Sequence, residues 1–327
     1  GIEMEKNFRK IAVLTSGGDA PGMNAAIRSV TRLAIENGVT VWGIMRGFTG
    51  LRTGDMIEMN LRTVSDVLHR GGTILYSSRD EKFKTEEGTQ EAVKSCKLHN
   101  LDAVVVIGGN GSLKGAKALS DNGIRSIFIP ATIDNDIACT DYSIGYDTAM
   151  NTGVEMVDKL RDTARSHEKC SVVEVMGRKC GDIALNIGMA VGATAILIPE
   201  VKYDFKRDVI DKIKYTQNLG RRHFIVVVAE GCEKTMEISN KITEGTGIES
   251  RCTILGHVQR GGSPTLRDRV LAGIMGSHAV KTIFNSSGSK AISSKCDRII
   301  DYSIDEALKI KKHFDINLYE EALKISI

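Results

Sequence analysis

Six short runs of apolar, mostly β-branched residues recur along the chain: Ile11–Thr15, Ala103–Ile107, Ser126–Ile129, Ser171–Val175, Ala195–Ile198 and Phe224–Ala229. Runs this short, without polar alternation, predict strands buried on both faces. Glycines and helix-period stretches lie between them. Met23, Ala26, Ile27, Val30, Leu33 and Ala34 fall on one helix face, and Gly38 marks its stop. Met150, Val154, Val157 and Leu160 predict a long second helix before Ser171. Strands alternating with helices predict an α/β protein with parallel sheets wound in βαβ units, whose ligands sit at the carboxyl ends of the strands. Ser303-Ile304-Asp305-Glu306 has capping-box spacing with Ala307, Leu308 and Ile310 behind it, and predicts a helix that closes the chain.

No linker, repeat or low-complexity tract divides the pattern, so the boundary rests on length: 327 residues against about 150 per domain gives roughly two domains. Forty-four basic and 41 acidic residues leave +3, too little to make a nucleic-acid or membrane surface the main partner. Any anionic ligand must therefore be met by locally gathered Arg and Lys. Seven scattered cysteines contain no C-x-x-C pair, which fits reduced thiols in a cytosol. The polar Gly1–Lys10 stretch leaves no room for a signal peptide's apolar core, and no apolar run approaches the roughly 20 residues that span a bilayer. A cytoplasmic protein is expected.

The 33 glycines concentrate the candidate chemistry. Gly17-Gly18-Asp19-Ala20-Pro21-Gly22 and Gly108-Gly109-Asn110-Gly111-Ser112 each follow a buried strand, where open amides and a helix start favour an anion. Neither is a Walker A loop, and no G-x-G-x-x-G follows a strand, which leaves a nicotinamide enzyme without its fingerprint. Asp134 and Asp136 lie two apart just past a strand, a placement that favours a metal, an arginine or a substrate hydroxyl beside them. Taken in isolation, a pair of this kind reads better as a solvated Asx-turn. Arg79, Lys169, Arg178, Arg251 and Arg260, with His257, stand at element ends; any one reads as an ordinary surface cation, but Arg178 and Arg260 sit in turns suited to clamping phosphate oxygens. Two anion cradles, a carboxylate pair and several arginines are the parts phosphoryl transfer uses, although a phosphosugar-binding module would use most of them.

Four segments in order, Leu14–Asn24, Thr132–Asp136, Glu174–Arg178 and Gly256–Pro264, make the chain from about Lys10 to its C-terminal helix resemble the bacterial ATP-dependent 6-phosphofructokinases. The resemblance implies two Rossmann-like three-layer domains with the active site in the cleft between them. Residues 1–144 and about 258–308 would form the larger ATP-binding domain, and 145–257 with about 309–327 the smaller sugar-phosphate domain. It implies transfer of the ATP γ-phosphate to the 1-hydroxyl of fructose 6-phosphate with Mg²⁺, in a homotetramer with shared active sites. Asp134 would be the general base, flanked by Thr132 and Asp136, with Arg178 also catalytic. Gly18, Arg79, Gly109, Asn110, Gly111 and Ser112 would hold ATP. Thr132, Ile133, Asp134, Lys169, Met176, Gly177, Arg178, Glu230, Arg251, His257, Val258, Gln259 and Arg260 would meet the sugar phosphate. An effector site for ADP or phosphoenolpyruvate would use Arg28, Arg32, Arg161, Arg221, Arg222 and His223.

The family pattern also isolates departures. Asn110 replaces an aspartate that helps hold Mg²⁺, which weakens the metal site. Lys169 replaces the arginine that reaches a neighbouring subunit, keeping charge but losing the bidentate fork. These two substitutions motivate a contrasting reading as a catalytically weakened, metabolite-binding homologue. Leu61 and Thr194 replace a basic and an acidic residue of the effector site. Gly111 leaves room for the bulk of ATP, and Ala131 stands where pyrophosphate-using relatives carry a lysine; both favour ATP over pyrophosphate as donor.

Overall fold

A computed structural model describes residues 9–326. The polar N-terminal stretch discussed above lies almost wholly outside them. In chain order the elements are β1 (Lys10–Ser16), α1 (Met23–Glu36), β2 (Thr40–Ile44), α2 (Phe48–Thr53), β3 (Met56–Met59), α3 (Glu86–Leu98), β4 (Ala103–Gly108), α4 (Asn110–Asp121), β5 (Ser126–Pro130) and α5 (Tyr146–Ser166). There follow β6 (Cys170–Val175), α6 (Asp182–Ala190), β7 (Ala195–Leu197), α7 (Lys212–Asn218), β8 (Phe224–Ala229), α8 (Thr235–Thr246) and β9 (Ser250–Ile254). The chain ends with α9 (Leu266–Asn285), β10 (Lys290–Lys295), β11 (Arg298–Ser303), α10 (Ile304–Lys309) and α11 (Ile316–Lys324).

Two compact units result. The first takes the described residues of Gly1–Thr132, with Ile137–Asp147 and Arg260–Lys312; the second takes Ile133–Asp136, Thr148–Gln259 and His313–Ile327, again as far as described. The first is built on a seven-stranded sheet of order β11-β10-β5-β4-β1-β2-β3, parallel from β10 to β2, with antiparallel strands at both edges. The second carries an all-parallel four-stranded sheet, β7-β8-β6-β9. Every residue of β4 and of β8 is buried, as continuous apolar runs require.

The capping box at Ser303 is present, with Glu306 reaching back to it. Its helix stops at Lys309, however, because Ile310 is extended, and the last described helix is α11 instead. The expectation that the capping-box segment closes the chain is thereby corrected. Along α5 only Val157 of the predicted stripe is fully buried. All seven cysteines are free thiols; burial pushes Cys96 and Cys170 up to about 12. No described helix is long and apolar enough to cross a membrane.

Candidate active site

Strand register places the loops. In the first sheet Ser16 pairs with Gly108, and Gly108 with Pro130, so the two glycine turns and Ala131 leave the sheet side by side. The N-caps of α1 and α4 are Gly22 and Gly109, and neither helix has a side-chain cap, whereas Thr85, Thr265 and Ser303 cap α3, α9 and α10. Helix starts without side-chain caps leave their positive dipole end open to an anion, although the first amide of α1, Met23 N–H, already bonds the Ala20 carbonyl at 3.2 Å. Ser112 Oγ donates to the Ser16 carbonyl at 3.2 Å, tying one cradle to the other. Thr132 faces Gly109, and Gly111 opens onto empty space, with no atom within 4 Å of where its Cβ would stand. The loop running to the exposed Arg79 is pinned by Asn24, whose Oδ1 accepts the Ile74 N–H at 2.8 Å, and by Thr15, which donates to the Tyr76 carbonyl at 3.0 Å. Arg260 belongs to this unit: its guanidinium packs over Gly18, where a Cβ would lie 2.3 Å from Nη1.

In the second sheet Val175 pairs with Ala229, and Glu174 with Ile254, so Met176–Arg178, Glu230 and the turn over residues 256–259 also emerge at one rim. Glu230 Oε1 accepts the Gly177 and Arg178 N–H groups at 3.0 and 2.6 Å. Gly177 takes φ 136° and Arg178 φ 54°, a turn that aims the guanidinium back at the 132–136 segment. Arg178 Nε stands 3.3 Å from Asp134 Oδ2. Asp134 is only 2% exposed, and Asn135, with φ 52°, donates to Asp182 at 3.1 Å. The solvated-turn alternative therefore fails for Asp134, which is buried and ion-paired; Asp136 is half-buried. Ile133 is fully buried, while His257 and Val258 are exposed.

The phosphofructokinase family pattern matches residues 10–283. This chain belongs to that family. It is 51% identical over 323 residues to an ATP-dependent 6-phosphofructokinase of Clostridium tetani, covering 98% of this chain and all of that one. Identity is 52% over 319 residues to the ATP-dependent 6-phosphofructokinase 1 of Clostridium perfringens, with 98% and 100% coverage. The structure of phosphofructokinase from Saccharomyces cerevisiae superposes with a TM-score of 0.89 at 32% identity, over 96% of this chain. This chain spans 50% of that longer yeast chain.

Within this phosphofructokinase fold, not all the expected sugar-phosphate residues share a rim. Lys169 precedes β6 and Arg251 pairs with Ser171, so both lie at the amino end of the second sheet. Six residues of strand, roughly 20 Å, separate that end from Met176. Glu249, which sequence reading missed, stands between them, 2.8 Å from Lys169 and 3.0 Å from Arg251. A carboxylate two residues from an arginine on an edge strand was the available signal, since alternate residues share a face.

The expected effector cations divide between units. Arg28 and Arg32 lie one turn apart on α1, and burial with the neighbouring Arg32 charge lowers the Arg28 pKa. Arg161, Arg221, Arg222 and His223 lie in the second unit, where burial and then Arg161, Arg221 and Arg165 lower the His223 pKa. Arg161 donates to the Val191 carbonyl, Arg221 to the Ser326 carbonyl at 3.4 Å, and Arg222 to Glu168 at 3.1 Å.

The Gly18 contact makes a direct prediction. Gly18→Ala drives a methyl into the Arg260 guanidinium, which is flexible enough to swing away without breaking the fold. The expected result is an ATP dissociation constant raised by about tenfold, or about 1.4 kcal/mol, with the melting temperature nearly unchanged; calorimetric titration and a thermal melt read the two effects.

Proposed function

We propose that this chain is an ATP-dependent 6-phosphofructokinase that moves the γ-phosphoryl of ATP to the 1-hydroxyl of fructose 6-phosphate, giving fructose 1,6-bisphosphate and ADP. The observation that carries the reading is Asp134: a buried carboxylate, held in place by Arg178, in a protein of this family. It accepts the proton of the sugar hydroxyl as the new P–O bond forms. Thr132, which faces Gly109, lies two residues earlier in the chain. The first unit's glycine turns and helix starts hold the ATP phosphates, with Arg79 beside them. Met176–Arg178, Glu230 and His257 orient the sugar. Such catalysis is mostly positioning and charge neutralisation, with little covalent work for the protein.

Among the described residues no three His, Cys, Asp or Glu side chains gather as a metal cage. That fits Mg²⁺, which is commonly held through substrate phosphates with one or two protein oxygens. Asn110, at the start of α4, would offer its amide oxygen; bound Mg²⁺ supplies neutralisation of phosphate charge. As part of the same reading the protein works in the cytoplasm as a homotetramer. Lys169 and Arg251 then serve a neighbouring copy's sugar phosphate, and ADP or phosphoenolpyruvate acts through the cations near Arg28 and His223.

A coupled assay with both donors across Mg²⁺ concentration tests the activity. Turnover with ATP and none with pyrophosphate is expected; background rates at saturating Mg²⁺ and fructose 6-phosphate would sink the reading. In Asn110→Asp the half-saturating Mg²⁺ concentration is expected to fall several-fold, because a carboxylate replaces a neutral amide oxygen.

A further inference from the structure

The amino-end rim of the second sheet carries a carboxylate, Glu249, to which the proposed transfer chemistry gives no role. Parallel pairing sets Cys170 against Ser250, and the Cys170 N–H bonds the Glu249 carbonyl at 3.0 Å, so the backbone itself brings Lys169 beside Glu249. Arg251 follows two residues on, inside β9, which begins just after Glu249. Both cations grip the same oxygen, Glu249 Oε1: Lys169 Nζ at 2.8 Å, Arg251 Nε and Nη2 each at 3.0 Å. Lys169 is the less solvated of the two, its side chain 21% exposed.

We propose that Glu249 is a built-in counter-ion that competes with the sugar phosphate for Lys169 and Arg251, and so sets how tightly, and how selectively, that phosphate is captured. The inference rests on the reading above, in which these two cations serve fructose 6-phosphate. With the carboxylate in place the trio carries +1; without it, +2. Two cations this close repel when unpaired, so Glu249 stabilises the unliganded state and binding must displace it. A single carboxylate oxygen satisfies both cations only by sharing, and a phosphate presents three oxygens, one for Lys169 and two for the arginine fork. A dianion therefore displaces Glu249, whereas a monoanion exchanges one charge for another with no gain. Lys169 first, then Arg251, holds the Glu249 pKa below the usual carboxylate range, so the competing charge persists at neutral pH.

Calorimetric titration of fructose 6-phosphate, and separately of inorganic phosphate, into the intact assembled protein tests this in wild type, Glu249→Gln and Glu249→Asp. Expected is an affinity for both ligands about three- to fivefold tighter in Glu249→Gln, a factor in keeping with an exposed ion pair. The shorter Glu249→Asp, which keeps the charge, is expected to lie between. KM for fructose 6-phosphate falls in parallel while kcat and ATP affinity hold, a split that a merely structural role would not give. Chloride becomes a stronger competitor in Glu249→Gln. Unchanged or weaker binding of both ligands in Glu249→Gln, with or without a lower melting temperature, overturns the proposal, because the carboxylate then only arranges the cations. Tighter phosphate binding without any binding of fructose 6-phosphate would keep the counter-ion and remove the sugar reading.

Discussion

Replacing Asp134 by Asn is expected to lower kcat by about 10²–10⁴-fold, the usual worth of a positioned general base, while ATP binds within about twofold of wild type. The two side chains have nearly the same size, and the pocket around residue 134 is closed, so the amide fits where the carboxylate stood. What disappears is the capacity to take the sugar hydroxyl's proton. Arg178 loses its ion pair but is about half exposed, and water compensates the freed guanidinium. The turn carrying Arg178 stays in place, because its backbone is held by Glu230 rather than by Asp134. The Gly17–Gly22 and Gly108–Ser112 turns belong to the first unit, whereas residue 134 belongs to the second. Initial-rate kinetics and ATP titration on the same preparation separate the two quantities. Near-normal turnover would reassign the base.

The residue pattern around Asp134 favours a solvated turn, and the family resemblance singles it out; its burial and its pairing with Arg178 across 44 residues are features of the fold. The fully buried strands were legible, because β4 and β8 have no polar residue to confuse the pattern. Several edge and near-edge strands were not, although the edge strand β7 was. β9 reads Ser-Arg-Cys-Thr-Ile and β3 is half exposed, so neither shows an apolar run. β10 buries two serines, Ser293 and Ser294, beside Ala291 and Ile292, too short an apolar run to read as a strand in one dimension. The glycine turns identified the cradles, yet Arg260 beside Gly18 and Glu249 beside Lys169 are contacts across the fold. Lys169 and Glu249 are 80 residues apart, and only the β6–β9 register makes them neighbours. The resemblance placed Gln259 among ligand-binding residues; its own geometry shows what the side chain does inside the protein.

Gln259 is completely buried, and its two ends are taken by backbone. Oε1 accepts the Met176 N–H at 2.8 Å and Nε2 donates to the Ala149 carbonyl at 3.2 Å, joining β6's exit turn to α5 across 83 and 110 residues of chain. Gln259→Leu keeps the volume and removes both bonds. A buried N–H left without a partner costs about 1–3 kcal/mol, and the deserted carbonyl adds to it, so a loss of about 2–4 kcal/mol in the second unit is expected. At about 2–4 °C per kcal/mol for a body of this size, the melting temperature falls by roughly 5–15 °C. Below that transition the functional consequence follows from the same bonds: Met176-Gly177-Arg178 loses its inner anchor, so KM for fructose 6-phosphate rises while ATP affinity, set in the other unit, stays. Gln259→Glu is the informative partner variant. Its carboxylate still accepts the Met176 N–H but faces the Ala149 carbonyl with no donor, so its melting temperature should drop as well. If Gln259→Leu melts like wild type and only its sugar affinity changes, the residue acts on the ligand directly and the anchoring role is excluded.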